Sequence, residues 1–150
     1  MRILHNRRGI SLVEAIITMF IATMATLVFA ASLPTATKCA RQAQEYKTAN
    51  AIAQQKMEQL RSLKYELLTP ELLYANGVVD SASGSPYSFT VKDQIADKLT
   101  QGTGTLRITS IASDVKRVSI TVNWISSYHA IARRVNITSY IADTRTRKAL

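Results

Sequence analysis

Cysteine and histidine are scarce in this chain, and their scarcity excludes several kinds of chemistry. Cys39 is the single cysteine, so no disulfide can form within one chain. The two histidines, His5 and His129, are far apart in sequence, and neither has a second histidine or cysteine at the spacing of metal ligands. We therefore expect no metal centre and no cofactor.

Signals for catalysis are equally weak. Residues 102–104 include two glycines, but they precede a predicted strand rather than a helix, which is typical of a turn and not of a phosphate-binding loop. Ser126, Ser127 and His129 are close in sequence, yet the pattern places no acidic side chain beside them to orient the histidine. We predict that the protein is not an enzyme.

What the chain has instead is one long apolar run near its start. Residues 10–33 contain a single charged side chain, that of Glu14. A helix over this run reaches roughly 36 Å, enough to cross a hydrocarbon core of about 30 Å. Arginines at positions 2, 7 and 8 precede the run, and positive flanks stay in the cytoplasm. We predict a single span in the inner (cytoplasmic) membrane, with the N-terminus inside and the rest of the chain outside.

A carboxylate in such a run needs a physical reason. On insertion scales an acidic residue at the centre of a membrane helix costs about 2.5 to 3.5 kcal/mol. Glu14 lies near the start of the run, where the positive end of the helix dipole returns about 0.3 to 1 kcal/mol. One interpretation is a carboxylate tolerated at the headgroup boundary, and the other is a carboxylate that pairs with a partner in the membrane.

Two other interpretations concern how the N-terminal segment is processed. An ordinary secretory signal would be cut near the small residues 30–32, but the apolar part of such a signal has about 7 to 15 residues and this run is longer. The other alternative is a single-span envelope protein whose anchor is never cleaved.

The junction between the basic leader and the apolar run resembles a known family. Gly9 is followed by the residues ISLVE (10–14) and then by unbroken apolar sequence. This looks like the class III leader of type IV pilins and type II secretion pseudopilins. The resemblance implies that a prepilin peptidase cuts after Gly9 and methylates the new amine of Ile10. It also implies that Glu14 pairs with the processed amine of a neighbouring subunit during filament assembly.

Later parts of the chain are similar to minor pilins and minor pseudopilins, namely residues 51–65, 115–124 and 134–142. Many pilins close a C-terminal loop with a disulfide, which a single cysteine does not allow. The resemblance therefore implies a minor type IV pilin, a structural or initiating subunit of a membrane-rooted pilus or pseudopilus. Its implied partners are the prepilin peptidase, other pilin subunits, an inner-membrane assembly platform and the lipid bilayer. A minor pseudopilin of type II secretion is the alternative within this class.

After Pro34 the pattern becomes amphipathic. Apolar residues recur at intervals of 3 or 4 over residues 43–67, and the polar residues between them, Lys56 included, form a predicted solvated face. This predicts that the membrane helix continues to about residue 64, kinked or loosened at Pro34, where proline removes one backbone hydrogen bond. We expect the apolar stripe to hold a sheet onto the helix.

Beyond the helix the period of the apolar residues changes to two. Alternation at 87–92, 105–111, 118–124 and 131–141 predicts four antiparallel strands with one apolar face. We therefore predict an α+β, pilin-like fold in which a long N-terminal helix packs against a small antiparallel sheet. Its predicted parts are a cleaved leader (1–9), a transmembrane and assembly helix (10–33), the amphipathic continuation (34–65), a connecting loop (66–86) and the sheet (87–150), which forms one globular domain with 34–65.

The chain is basic, with a formal net charge of +9. Lys116 and Arg117 are adjacent on one predicted strand, and Arg133 and Arg134 are adjacent on another. Strand alternation puts the two members of each pair on opposite faces, so at most half of these charges converge on one phosphate-binding patch. A DNA-binding competence pilin is therefore a less favoured alternative, with nucleic acid a less favoured partner.

Overall fold

The computed structural model describes residues 11–127 and 130–143, and the chain divides into two compact units, Met1–Ala40 and Arg41–Leu150. The fold is α+β, as predicted. In chain order the elements are α1 (Leu12–Ser62), a 3₁₀ turn (Tyr65–Leu67), α2 (Pro70–Ala75), β1 (Tyr87–Ser88), α3 (Ile95–Lys98), β2 (Thr103–Ala112), β3 (Val115–Ile125) and β4 (Ala132–Ala142).

The described residues of the first unit belong almost entirely to the N-terminal part of α1, which continues without interruption past Pro34. Its large apolar side chains are exposed, by between 50% at Leu33 and 75% at Leu12. The described residues of this unit therefore have no core of their own.

The second unit packs the C-terminal part of α1 against a four-stranded antiparallel sheet of order β1-β2-β3-β4. Strand β3 buries one side chain in two, as its alternating sequence predicts. The core joins this face to the helix stripe, and its members from these two elements are Ala49, Ile52, Ala53, Met57, Leu60, Val118, Ile120, Val122 and Trp124. The predicted packing of stripe on sheet is confirmed.

Strand β1 is shorter than predicted, because the backbone turns away after Ser88. The Asp80 carboxylate accepts hydrogen bonds from the backbone N–H groups of Val91 (3.1 Å) and Lys92 (2.9 Å). These two N–H groups are therefore satisfied by a side chain and not by a neighbouring strand. Val91, predicted to lie on the apolar face, is 76% exposed. The alternation at 87–92 was thus a wrong indication of a full strand.

The predicted connecting loop 66–86 is also more ordered in secondary structure than expected. It contains the end of the 3₁₀ turn and all of α2. Helix α2 begins with Pro70, and proline is tolerated there because the first N–H group of a helix has no partner within the helix. Leu73, Val78 and Val79 from this segment are fully buried in the core. The segment differs from a simple loop because apolar residues lie between its turn-forming residues, and these apolar residues are buried in the core.

Candidate membrane anchor and assembly site

Helix α1 is the one helix in the described part of the chain that is long and apolar enough to cross a membrane, and its most apolar stretch is entirely unburied. The polar groups within this stretch are satisfied locally. Each of its hydroxyl side chains donates a hydrogen bond to a backbone carbonyl three or four residues earlier, and these are Thr18, Thr23, Thr26 and Ser32. Because no hydroxyl needs water, the surface of this segment suits a hydrocarbon environment.

Glu14 lies in the first turn of α1 and is exposed. It is the single acidic residue of the apolar run, and no hydrogen bond or ion pair to its carboxylate occurs among the residues that the structure describes. The backbone around it is helical, since Ala15 N–H donates to the carbonyl of Ser11 at 3.0 Å. The other described residues therefore do not cover this carboxylate, and it is accessible to another molecule. Gly9 and Ile10, the predicted processing residues, lie outside the described residues.

Lys56 is a charged side chain whose predicted position was wrong. It was assigned to the solvated face, but it is 1% exposed. Its ammonium group donates hydrogen bonds to Asp93 Oδ1 (2.9 Å), to the carbonyl of Val78 (3.1 Å) and to Gln59 Oε1 (3.0 Å), and it lies 5.0 Å from the centre of the Phe89 ring. Three acceptors match the three N–H donors of a lysine, so the buried charge is fully satisfied.

The signal for this burial was present in the helix periodicity. Position 56 follows Ala49 by seven residues and Ile52 by four, and it precedes Leu60 by four, which are the intervals of the inward stripe. Residue type favoured the surface and spacing favoured the core. Spacing decided, because a partner carboxylate 37 residues later in the chain compensates the charge.

Glu45 is the second polar residue that sequence reasoning missed. Its carboxylate accepts hydrogen bonds from the indole Nε1 of Trp124 (3.3 Å) and from the hydroxyl (2.8 Å) and backbone N–H (3.2 Å) of Ser127. The next residue, Tyr46, packs edge-on against the Trp124 ring with centroids 5.0 Å apart. These contacts attach the segment after β3 to helix α1 in the second unit.

Glu45 thus lies beside Ser127, where the sequence pattern placed no acidic side chain. A buried indole N–H requires an acceptor, which was the available signal. Partial burial acts to raise the pKa of Glu45, but the hydrogen bonds from Ser127 and Trp124 outweigh it and hold the pKa below its ordinary value. A carboxylate kept ionised by several donors acts as a docking point for the segment after β3. His129 lies outside the described residues, so the expectation that no acidic side chain orients it stays a prediction.

Asp80 is held in a similar way. Partial burial opposes ionisation, but the hydroxyl of Ser88 and the backbone N–H groups of Lys92 and Val91 donate to the carboxylate and lower its pKa. It organises the turn after β1. Within the described ranges, no group of three or more histidine, cysteine, aspartate or glutamate side chains is placed to hold a metal ion.

Comparison of the chain with protein-family models, with curated proteins and with solved structures finds no match in any of the three. The chain itself carries three features that bear on its function: the exposed apolar part of α1, the carboxylate in the first turn of that helix, and the sheet of the second unit.

Proposed function

We propose that this chain is a minor type IV pilin, a structural or initiating subunit of a filament rooted in the inner membrane. The observation that carries the proposal is the combination in α1 of an unburied apolar segment, a single carboxylate in its first turn and a second segment that packs against a sheet. A helix that only anchored the sheet would gain nothing from Glu14, because an acidic side chain disfavours insertion.

The arginines at positions 2, 7 and 8 orient the span with its N-terminus inside and the sheet outside. The prepilin peptidase then removes residues 1–9, and the new amine of Ile10 becomes the partner of Glu14 in a neighbouring subunit. An ammonium and a carboxylate that meet in a medium of low dielectric constant offset much of the cost of desolvating each other. This pairing supplies the reason for a charge that has no partner among the residues that the structure describes.

A minor pseudopilin of type II secretion is the alternative within the same class, since both use the same leader and the same kind of helix. The neighbouring genes distinguish the two. Genes for a pilus motor beside this one would assign it to a pilus, and genes for a secretion system would assign it to a pseudopilus.

The experiment that tests the proposal compares wild type with Glu14→Ala and Glu14→Gln in cells that assemble the filament. Both variants are expected to insert in the membrane and to be cleaved after Gly9, but to be lost from the sheared filament fraction, because the neighbouring amine is left unpaired. Glu58→Gln is a matched control, since Glu58 is an exposed glutamate of the same helix beyond the apolar run.

Normal amounts of Glu14→Ala in the filament fraction would defeat the pairing of Glu14 with a neighbour and favour a carboxylate tolerated at the headgroup boundary. Loss of cleavage in either variant would assign Glu14 to peptidase recognition instead. Absence of the wild-type chain from every filament fraction, with the anchor intact, would favour an uncleaved single-span envelope protein.

A further inference from the structure

The face of the sheet that is turned away from the core is polar and positively charged. Side chains alternate along the strands, so the positions between the buried core residues point to this face. We call it the outer face. Its polar members are Thr103, Thr105, Arg107 and Thr109 on β2, Arg117, Ser119, Thr121 and Asn123 on β3, and Arg134, Asn136, Thr138 and Tyr140 on β4.

The outer face accounts for the whole charge excess of the described second unit. Residues 41–143 contain 12 basic and 9 acidic side chains, an excess of 3. Three of the basic residues, Arg107, Arg117 and Arg134, lie on the outer face, where the strands carry no acidic residue. All three are exposed, and no ion pair or hydrogen bond engages their guanidinium groups among the described residues. The remaining 9 basic and 9 acidic residues balance.

Hydroxyl and amide groups fill the space between these arginines. The Ser119 and Thr138 hydroxyls are 3.0 Å apart, the Asn136 amide donates to the Thr121 hydroxyl at 2.8 Å, and the Thr138 hydroxyl donates to Asn136 Oδ1 at 3.2 Å. Each hydroxyl has one donor and two lone pairs, so this ladder keeps hydrogen-bonding capacity for a ligand. Part of it, with Arg107 and Pro86, lines a pocket of about 340 Å³.

The arginines are widely spaced. Arg107 and Arg117 lie on neighbouring strands two residues out of register, which separates their Cα atoms by about 8 Å, and Arg134 lies about 17 Å from Arg107. A complementary ligand therefore carries separated anionic groups with hydrogen-bonding groups between them. Guanidinium groups bind carboxylates through two parallel hydrogen bonds.

We propose that the outer face binds an acidic polysaccharide, in which carboxylates are separated by sugar hydroxyls. The arginines bind the carboxylates and the hydroxyl and amide ladder binds the sugar hydroxyls. Tyr140, 63% exposed and opposite Arg117 in the register, supplies a flat apolar surface for a sugar ring.

Nucleic acid fits this face less well. A single strand of duplex DNA carries one phosphate per about 3.4 Å of axis, so the roughly 20 Å spanned by the three arginines would meet about six phosphates with three cations. Faces that bind single strands also present several aromatic side chains to the bases, and here Tyr140 is the one aromatic residue on the outer face of strands β2, β3 and β4.

This inference uses the second unit alone and does not depend on filament assembly. The test uses the full chain in nanodiscs of uncharged phosphatidylcholine. Binding is measured by isothermal titration with a hyaluronan oligosaccharide, in which a uronic acid alternates with a neutral sugar, with a neutral glucan oligosaccharide of the same length, and with a single-stranded oligonucleotide of the same charge.

Two variants and one matched control locate the site. The first is the double variant Arg107→Gln/Arg117→Gln, and the second is Asn136→Asp, which adds a carboxylate to the ladder with little change of shape. The control is Arg133→Gln, because Arg133 is next to Arg134 in β4 and lies on the opposite face of the sheet. All are exposed or half-buried, and retained Trp124 fluorescence checks that they fold.

We expect the wild type and Arg133→Gln to bind the hyaluronan oligosaccharide with the same Kd, and each outer-face variant to bind it roughly tenfold more weakly or worse. Four results would overturn the proposal, and three of them concern the protein variants and the oligonucleotide. They are no binding by the wild type at low salt, an equal loss in Arg133→Gln, and tighter binding of the oligonucleotide, which would make nucleic acid the occupant. Equal binding of the neutral glucan would also contradict the role given to the arginines.

Discussion

The ammonium group of Lys56 lies 2.9 Å from a carboxylate oxygen of Asp93, and the two residues are 37 positions apart in the chain. Lys56 is 1% exposed and Asp93 is 27% exposed, so the pair joins the buried face of α1 to the segment before α3. The ion pair has one partner in the core and one at the surface of the fold, and this asymmetry predicts unequal effects of removing either.

Asp93→Asn is expected to destabilise the second unit more than Lys56→Met. The asparagine leaves a buried ammonium without its counter-charge, which costs about 3 kcal/mol or more, whereas Lys56→Met leaves a partly hydrated carboxylate and one buried carbonyl, at about 1 to 3 kcal/mol. Denaturant unfolding of the full chain in detergent micelles, followed by the fluorescence of Trp124, measures both. The double variant should lose less than the sum of the two.

Glu58→Gln is the control for this series, because the Glu58–Arg61 pair is exposed at 69% and 51% and should contribute within about 0.5 kcal/mol. An Asp93→Asn protein as stable as wild type would show that Lys56 does not need its counter-charge.

A second prediction concerns acid stability. The pKa of Glu45 is held below its ordinary value of 4.5, so its hydrogen bonds from Ser127 and Trp124 stabilise the fold fully above about pH 4.5, and that contribution is lost as the pH falls through the lowered pKa. Glu45→Gln should lower the free energy of unfolding at pH 7 by about 1 to 2 kcal/mol and make its decline between pH 7 and acid shallower. Trp124 fluorescence at a series of pH values measures both effects.

The matched control for Glu45 is Glu71→Gln, which removes one exposed carboxylate from α2 and should change the stability at pH 7 by no more than about 0.5 kcal/mol. If Glu45→Gln has the same stability as wild type at pH 7, the docking role assigned to the carboxylate is wrong.

A third prediction concerns processing. Under the proposed function the mature chain begins at Ile10, because a glycine before the cut gives a peptidase close access to the backbone. Intact mass and N-terminal sequencing of the chain from membranes that contain the peptidase should show the loss of residues 1–9. Gly9→Leu should retain the leader. A chain that begins at Leu33, or one that keeps Met1 in the presence of the peptidase, would contradict the pilin proposal.

Periodicity alone was sufficient to predict the architecture. An apolar run long enough for a membrane, a stripe at intervals of 3 and 4, and alternation in strands each reflect geometry that a chain cannot avoid, so α1, β3 and β4 were predicted close to their observed bounds. The packing of Met57 and Leu60 with Val118 and Ile120 followed, since these are the apolar faces of the two elements.

The positions and partners of the polar groups depended on the tertiary structure. Residue type placed Lys56 at the surface and alternation placed Val91 on the apolar face of a strand, and both predictions were wrong because the deciding partner lies elsewhere in the chain. The contacts of Glu45 were not predicted, for the same reason. Asp93 compensates the ammonium of Lys56, Asp80 takes the backbone N–H of Val91, and Trp124 with Ser127 donates to Glu45.

The outer face shows the same division. Strand alternation correctly separated Arg117 from Lys116 and Arg134 from Arg133. The register of β2 against β3 then added Arg107 to the same face, and a register is set by long-range pairing that local sequence does not determine. The sequence by itself thus determined the elements and their apolar faces, because these follow from local period. The tertiary structure alone decided which charges are paired, buried or gathered on one surface, because electrostatic and hydrogen-bond partners are brought together by the fold.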